Sequence, residues 1–341
     1  MTRAPGPPTP PRPLLRSHPV VALATSLAWP QLAPDDRLLV AALEKMDLRT
    51  EIAIWTDERV QWDRFDLIVV RSCWDYHDDL GRWLGWVDAV ERSCGRRRLR
   101  NAGAYLRWNA RKTYLIDLAT RGVPIVPTVW LGPEALASDE RLDAALRATP
   151  WNDFVVKPAV SAGAFGTYRV RAGQTFAAAA GSTTARLELA PRAPLLIQPF
   201  LADISAGGEW SLIFFDGTFS HAVRKYPAPG DFRVQEKHGG RAVAETPPAE
   251  VLRVASQTLM AAAEAASMAA EPPPLYARVD VVVSAGRPLV MELEITEPAL
   301  FLAQGGDRGR PPTAATAADR LALACRAGCG SPTIAKGGNV S

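Results

Sequence analysis

Residues 277–297, ARVDVVVSAGRPLVMELEITE, hold two strand-like runs around a turn at 284–287. In the first run Val279, Val281 and Val283 alternate with Arg278, Asp280 and Val282. Side chains alternate between the faces of a strand, so these are two separate sets. In the second run Met291, Leu293 and Ile295 share one face; Val290, Glu292, Glu294 and Thr296 share the other. A turn centred on Gly286 sets Ser284 opposite Pro288, Asp280 opposite Glu292 and Arg278 opposite Glu294. Directly opposed residues of an antiparallel pair point to the same side, with Cβ atoms roughly 5 Å apart. Three carboxylates and one guanidinium then gather on a single face. Carboxylates so close repel, and a hard divalent cation such as Mg²⁺ takes carboxylate oxygens and relieves the clash. A solvated sheet face with alternating charge is the other reading of this stretch.

Around this hairpin lies a chain of 341 residues, enough for two or three packed units. Its 48% apolar and 22% charged residues are ordinary for a globular protein, and a net charge of +3 does not argue for nucleic acid. Cys73, Cys94, Cys325 and Cys329 lack the neighbouring ligands of a zinc site and read as reduced thiols of a cytoplasmic protein. No run is apolar and long enough to cross a bilayer. Residues 1–17, dense in proline, read as a disordered polyproline-like tail rather than a signal peptide, and residues 329–341 as a second disordered tail.

Upstream of the hairpin, strand-like runs at 20–24, 49–55 and 66–71, the first and last of them apolar, are interleaved with a helical stretch at 38–46, the pattern of an open α/β sheet. Functional groups of such sheets lie beyond the carboxyl ends of the strands. Residues 71–76, RSCWDY, stand at such an end; they read either as a substrate loop carrying Arg71 or as a helix entry capped by Ser72 or Asp75. Residues 105–119 read as one helix with Lys112 in its first turn. A lysine there opposes the helix dipole, which leaves a surface position or a task elsewhere. Strand 154–158 ends in Lys157 and runs into the small-residue stretch AVSAGAFGT, 159–167. Such a loop brings backbone N–H groups around phosphate oxygens, or is an ordinary hairpin turn. It is neither a Walker A motif nor GxGxxG. Residues 209–215 and 219–225 form a hairpin around Asp216-Gly217, with Arg224 and Lys225 at its exit. The polar stretch 230–240, with Arg233 and Lys237, suits an anion-contacting loop. Long helices are expected at 248–269 and 317–327.

The order of WNARKTYL, FVVKP, SAGAFGT, LIQPFL, Glu209, RVD and ELEITEP resembles the ATP-grasp superfamily, in its glutathione-synthetase-like branch, over residues 20–328. The resemblance implies an α/β fold, α+β in part: an N-terminal open α/β domain (18–105), a central lid subdomain (106–194) and a C-terminal antiparallel-sheet subdomain (195–328). It implies ATP and Mg²⁺ as cofactors, with Mn²⁺ as a substitute. Lys112 and Lys157 would contact phosphates, and Ser161, Gly163 and Gly166 would form the lid loop. Gln198, Phe200 and Leu201 would hold adenine, and Glu209 the ribose. Asp280, Glu292 and Glu294 would hold the metal, Glu294 standing where the family usually has asparagine. Arg278 would steady the transferring phosphoryl group, and Arg224 and Arg233 would contact a substrate carboxylate or the acyl phosphate, with surface ion pairs as the alternative for both; Arg71 would serve the substrate from loop 71–76. The implied reaction is a ligation in which a small amino-acid-like acid becomes an acyl phosphate that an amine or other nucleophile attacks. The partners are then small-molecule acids and amines, not membrane or nucleic acid, with homo-oligomerisation left open. A small-molecule kinase on the same fold and a silent nucleotide-binding protein are the alternatives. RSCWDYHDD, RWNARKTYL and VVKPAVSAGA are in addition similar to the ATP-grasp cyclo-ligases of D-cycloserine biosynthesis, which close a ring on O-ureido-D-serine.

Overall fold

A computed structural model describes residues 18–305 and 316–329; both expected tails, residue 329 apart, and most of the connection before the last helix lie outside them. Strands β1 (Val20–Thr25), β2 (Arg49–Ile54), β3 (Leu67–Val70) and β4 (Leu99–Arg100) form a parallel sheet in the order β2-β1-β3-β4. β1 and β3 are continuous apolar runs because both faces of this sheet are covered. Val21, Leu23, Leu67 and Val69 pack with residues of helices Arg37–Glu44 and Ala317–Gly328. Val20, Ala22, Ile68 and Val70 meet Trp83, Trp86 and Val87 of helix Leu80–Cys94 on the opposite face.

β5 (Val129–Leu131), β6 (Asp153–Pro158), β7 (Tyr168–Arg171) and β8 (Leu195–Pro199) form an antiparallel sheet in the order β5-β8-β6-β7. The boundary expected at residue 195 therefore moves: β8 pairs with β5 and β6 and belongs to this central sheet. β9 (Glu209–Phe215), β10 (Thr218–Tyr226), β11 (Arg241–Ala244), β12 (Tyr276–Ser284) and β13 (Arg287–Glu294) form the third sheet, ordered β11-β10-β9-β12-β13. One of its faces, with Trp210, Leu212, Val279 and Val281, packs on helix Ala249–Ala265 through Val251, Val254 and Leu259.

Both hairpins of the third sheet turn through two residues at positive φ, Asp216-Gly217 (48° and 72°) and Ala285-Gly286 (49° and 74°). This is the tight loop whose twist suits paired strands. The second turn sets Ser284 opposite Arg287, not Pro288. A bulge then corrects the count: Val281 pairs with Val290, but Asp280 pairs with Glu292 and Arg278 with Glu294, leaving Met291 as the extra residue. The bulge changes the faces. Val290 joins Val279, Val281 and Leu293 in the core instead of sharing a side with Glu292. A second bulge lies at Ser220, between the pairs Phe219–Phe214 and His221–Ile213, and brings Lys225 opposite Glu209.

The helix expected over 105–119 is two helices, Gly103–Asn109 and Tyr114–Thr120, and Lys112 stands in the break. Asn109 holds that break to the end of β13: its Oδ1 accepts from Ile295 N at 2.8 Å and its Nδ2 donates to Leu293 O at 2.9 Å.

Candidate active site

A cavity of about 420 Å³ opens between the central and third sheets, with the loop after β3 as a further wall. Its floor is the unpacked face of β9, β10, β12 and β13. The bulge at Met291 delivers Glu292 and Glu294 to this floor beside Arg278 and Asp280. Asp280, Glu292 and Glu294 each place one oxygen within 4.8 Å of the others.

Cations hold this acidic group together. Asp280 accepts from Arg278 Nε at 3.0 Å and from Ser211 Oγ at 2.5 Å, and Lys225 Nζ lies 3.3 Å away. Burial alone would raise the Asp280 carboxyl; the charges of Arg278 and Lys225 outweigh it and hold it at about 2. Lys225 itself is buried, 2.5 Å from Glu209 Oε1. Burial opposes its charge, but Asp280 and Glu209 keep its ammonium above its ordinary value. Lys112 Nζ lies 2.9 Å from Glu292 Oε1 and lowers that carboxyl against the effect of burial. Glu294 pairs with Arg278 Nη2, yet burial and the neighbouring Glu292 and Asp280 carry it up to about 7. An asparagine in its place would carry no charge here. The three carboxylates thus form a donor set of oxygens, the chemistry a hard divalent cation takes.

The lysines come from the other side. Lys157, at the end of β6, donates to Gln198 Oε1 at 2.9 Å and approaches Met291 Sδ at 3.3 Å; burial lowers its ammonium despite Glu292 and Glu209. Lys112 is fixed by its own N–H, which donates to Ala159 O at 2.8 Å, and its Nζ donates to Ser161 O at 2.8 Å. The loop after Lys157 then turns through positive φ at Gly163 (56°), Ala164 (61°) and Gly166 (64°). A Cβ on Gly163 would stand 3.0 Å from Lys237 Nζ, so the small-residue loop and the 230–240 loop close on each other. Phe200 and Leu201 form the adjoining apolar wall, and the Arg169 guanidinium lies 3.3 Å over the Phe200 ring.

The cavity therefore gathers Lys112, Lys157, Ser161, Gly163, Gln198, Phe200, Leu201, Glu209, Arg233, Arg278 and the three carboxylates. Three residues expected there do not line it. Arg71 is fully buried, its Nη2 2.7 Å from Asp36 Oδ1 and 2.8 Å from Pro298 O. Arg224 faces away: it stacks over Trp210, donates to Gly207 O and pairs with Glu245. The Ser220 bulge is the reason, because it exchanges the faces of Arg224 and Lys225. Gly166 supports the loop from behind, where a Cβ would strike Leu189 at 2.6 Å. Arg233 lines the wall with its guanidinium on Asp231 at 2.8 Å.

Lys225, Ser211, Glu297 and His77 line or support the site without having been singled out from the sequence, whereas Trp74 and Tyr76 belong to the expected substrate loop 71–76 and do line the cavity. Lys225 has a signal in the alternation of β10, but only once the bulge is known. His77 carries one in its place directly after that loop, beyond a buried parallel strand.

Residues 21–101 match the family described as D-cycloserine synthetase DcsG, N-terminal domain. The chain is 31% identical over 287 residues to the cycloserine biosynthesis protein DcsG of Streptomyces lavendulae, covering 83% of this chain and 93% of that protein. It superposes on the crystal structure of D-cycloserine synthetase DcsG with a TM-score of 0.76 at 28% identity, over 91% of this chain and 100% of the other. D-alanine–D-alanine ligase of Bacillus anthracis, in complex with ATP, matches with a TM-score of 0.59 at 15% identity, over 91% and 97% of the two chains, a likeness of fold.

Proposed function

The chain belongs to the DcsG family of ATP-grasp ligases, and from that premise we propose that it activates the carboxylate of a small amino-acid-like substrate as an acyl phosphate and closes a ring on it, with O-ureido-D-serine as the substrate to test first. One observation carries this reading: three carboxylates on the β12–β13 hairpin face two lysines from the central unit across one cavity.

In this reading Lys112 and Lys157 take phosphate oxygens, and loop 161–166 together with Lys237 covers them. Gln198, Phe200 and Leu201 receive the base, and Glu209 the sugar. Asp280, Glu292 and Glu294 would hold Mg²⁺, or Mn²⁺ in its place, which would neutralise charge on the transferring phosphoryl group. Arg278, fixed by Asp280 and by Ala299 O at 3.1 Å, presents a guanidinium where that charge develops. Closure of the two loops keeps water from an acyl phosphate.

The test is ADP release with ATP, Mg²⁺ and a panel of amino acids and their O- and N-substituted derivatives. Release stimulated by O-ureido-D-serine, with a cyclic product, supports the proposal. A stable phosphorylated acid without ring closure makes the protein a kinase. No stimulation by any acid overturns the proposal.

A further inference from the structure

The loop after β3 and the segment after β13 meet at the cavity, and they build a feature that the ATP and metal assignments do not use. Glu297 is 5% exposed and lines the cavity. Its backbone is fixed from the N-terminal unit: Trp74 Nε1 donates to Glu297 O at 2.9 Å, and Arg71 Nη2 donates to Pro298 O at 2.8 Å. From the third sheet, Arg278 Nη1 holds Ala299 O. This is the structural use of Arg71, whose guanidinium reaches no cavity surface.

The Glu297 carboxylate, by contrast, accepts no hydrogen bond and pairs with no cation among the described residues. Its oxygens are not among the enclosed orphan atoms either, such as Arg71 Nη1 and Gln235 Oε1, so they open onto the cavity. The nearest cations are committed: Lys112 to Glu292, and Arg278 to Asp280 and Glu294. Burial, with the charge of Glu294 added, lifts Glu297 to about 8. A buried carboxylate without donors is costly, and a ligand bringing positive charge and N–H donors relieves it. Trp74 and Tyr76 stand on the same wall, and aromatic faces favour an ammonium. A metal ion is better served three residues earlier, where three carboxylates converge.

We propose that Glu297 anchors the primary α-ammonium group of the substrate. The inference rests on the amino-acid ligase reading above and specifies which end of the substrate this chain recognises. An α-ammonium sits on the carbon next to the carboxyl group to be activated, so one substrate spans from Glu297 to the phosphoryl site. Its three N–H donors match an open carboxylate.

The experiment compares wild type with the isosteric Glu297→Gln in ADP release, using O-ureido-D-serine and its desamino analogue, in which hydrogen replaces the α-ammonium group. Binding of a non-hydrolysable ATP analogue reports folding and the nucleotide site. Loss of one partner from a buried charge pair predicts a KM for O-ureido-D-serine raised roughly 30-fold or more. Analogue binding stays within about twofold. Wild type prefers the amino over the desamino substrate by a similar factor, and the variant loses that preference. An unchanged KM with unchanged preference overturns the assignment. So does a wild-type protein that turns over both substrates equally, a result that needs no variant. If wild type releases ADP with no amino acid at all, the ligase reading itself fails and takes the inference with it, which the wild-type arm alone reveals.

Discussion

Asp280 and Glu292 face each other across β12 and β13 because Met291 is an extra residue in the ladder. Without that bulge the two-residue turn would set Met291 opposite Asp280 and turn Glu292 toward the apolar core shared by Val279, Val281 and Val290. The bulge therefore converts a hairpin with one acidic position on the cavity side into a three-carboxylate floor. Bulges are frequent where a side chain must be re-aimed beside an active site.

The neighbours Lys225 and Arg224 separate two kinds of charge. Lys225 lies between the buried carboxylates of Glu209 and Asp280, whereas Arg224 pairs with the partly exposed Glu245. Lys225→Met leaves two buried carboxylates short of a cation and is expected to cost about 3–5 kcal/mol in urea unfolding and to abolish turnover. Arg224→Met is expected to cost about 1 kcal/mol or less. Equal losses for the two would contradict the face assignment.

Arg71 is expected to act on stability and on the acid substrate, not on nucleotide. Arg71→Met strands the buried Asp36, whose remaining side-chain partner is Ser72 Oγ at 2.7 Å. A loss of about 3–5 kcal/mol is expected. Measured below its melting temperature, the variant should bind ATP normally and show a raised KM for the acid, because Pro298 and hence Glu297 lose a tether. Weakened ATP binding with an unchanged KM would refute this.

His221 sets an acid limit on stability. Its Nε2 lies 3.0 Å from Leu300 O, and burial lowers its imidazole to about 4. An unfolded histidine titrates near 6.5, so protonation favours the unfolded chain in the window between. Stability is fully present above about pH 6.5 and falls toward pH 4, by up to roughly 3 kcal/mol. His221→Gln should flatten this part of the profile relative to wild type in thermal unfolding scans; parallel profiles would dismiss the role of His221.

The sequence made the order of elements legible because it is written in local signals: apolar runs for β1 and β3, Asp216-Gly217 for a turn, lysines at strand and loop boundaries. The pairing of Asp280 with Glu292 was legible too, although through a compensation, since the turn is one residue tighter than expected and the bulge restores the count. What was not legible depends on such single-residue shifts. The sequence alone points to Arg224 and not Lys225, because a bulge at Ser220 carries no mark in composition. Lys112 sits in a helix break that tertiary contacts of Asn109 impose, against a helical pattern that runs on. Arg71 ends a strand at the place where substrate groups gather, but the buried Asp36, 35 residues earlier, claims it.

A Mg²⁺ titration of ADP release in wild type and in Glu292→Gln asks whether the β12–β13 carboxylates serve a metal-dependent ATP reaction. Glu292→Gln keeps the shape of the side chain and removes the charge that Lys112 meets at 2.9 Å. The variant is expected to fold, with a melting temperature within a few degrees of wild type, and its Mg²⁺-dependent turnover to fall by roughly 100-fold or more. Wild-type activity should itself vanish on chelation and return with Mg²⁺. Near-wild-type, Mg²⁺-saturable turnover in Glu292→Gln would remove the β12–β13 carboxylates from the reaction.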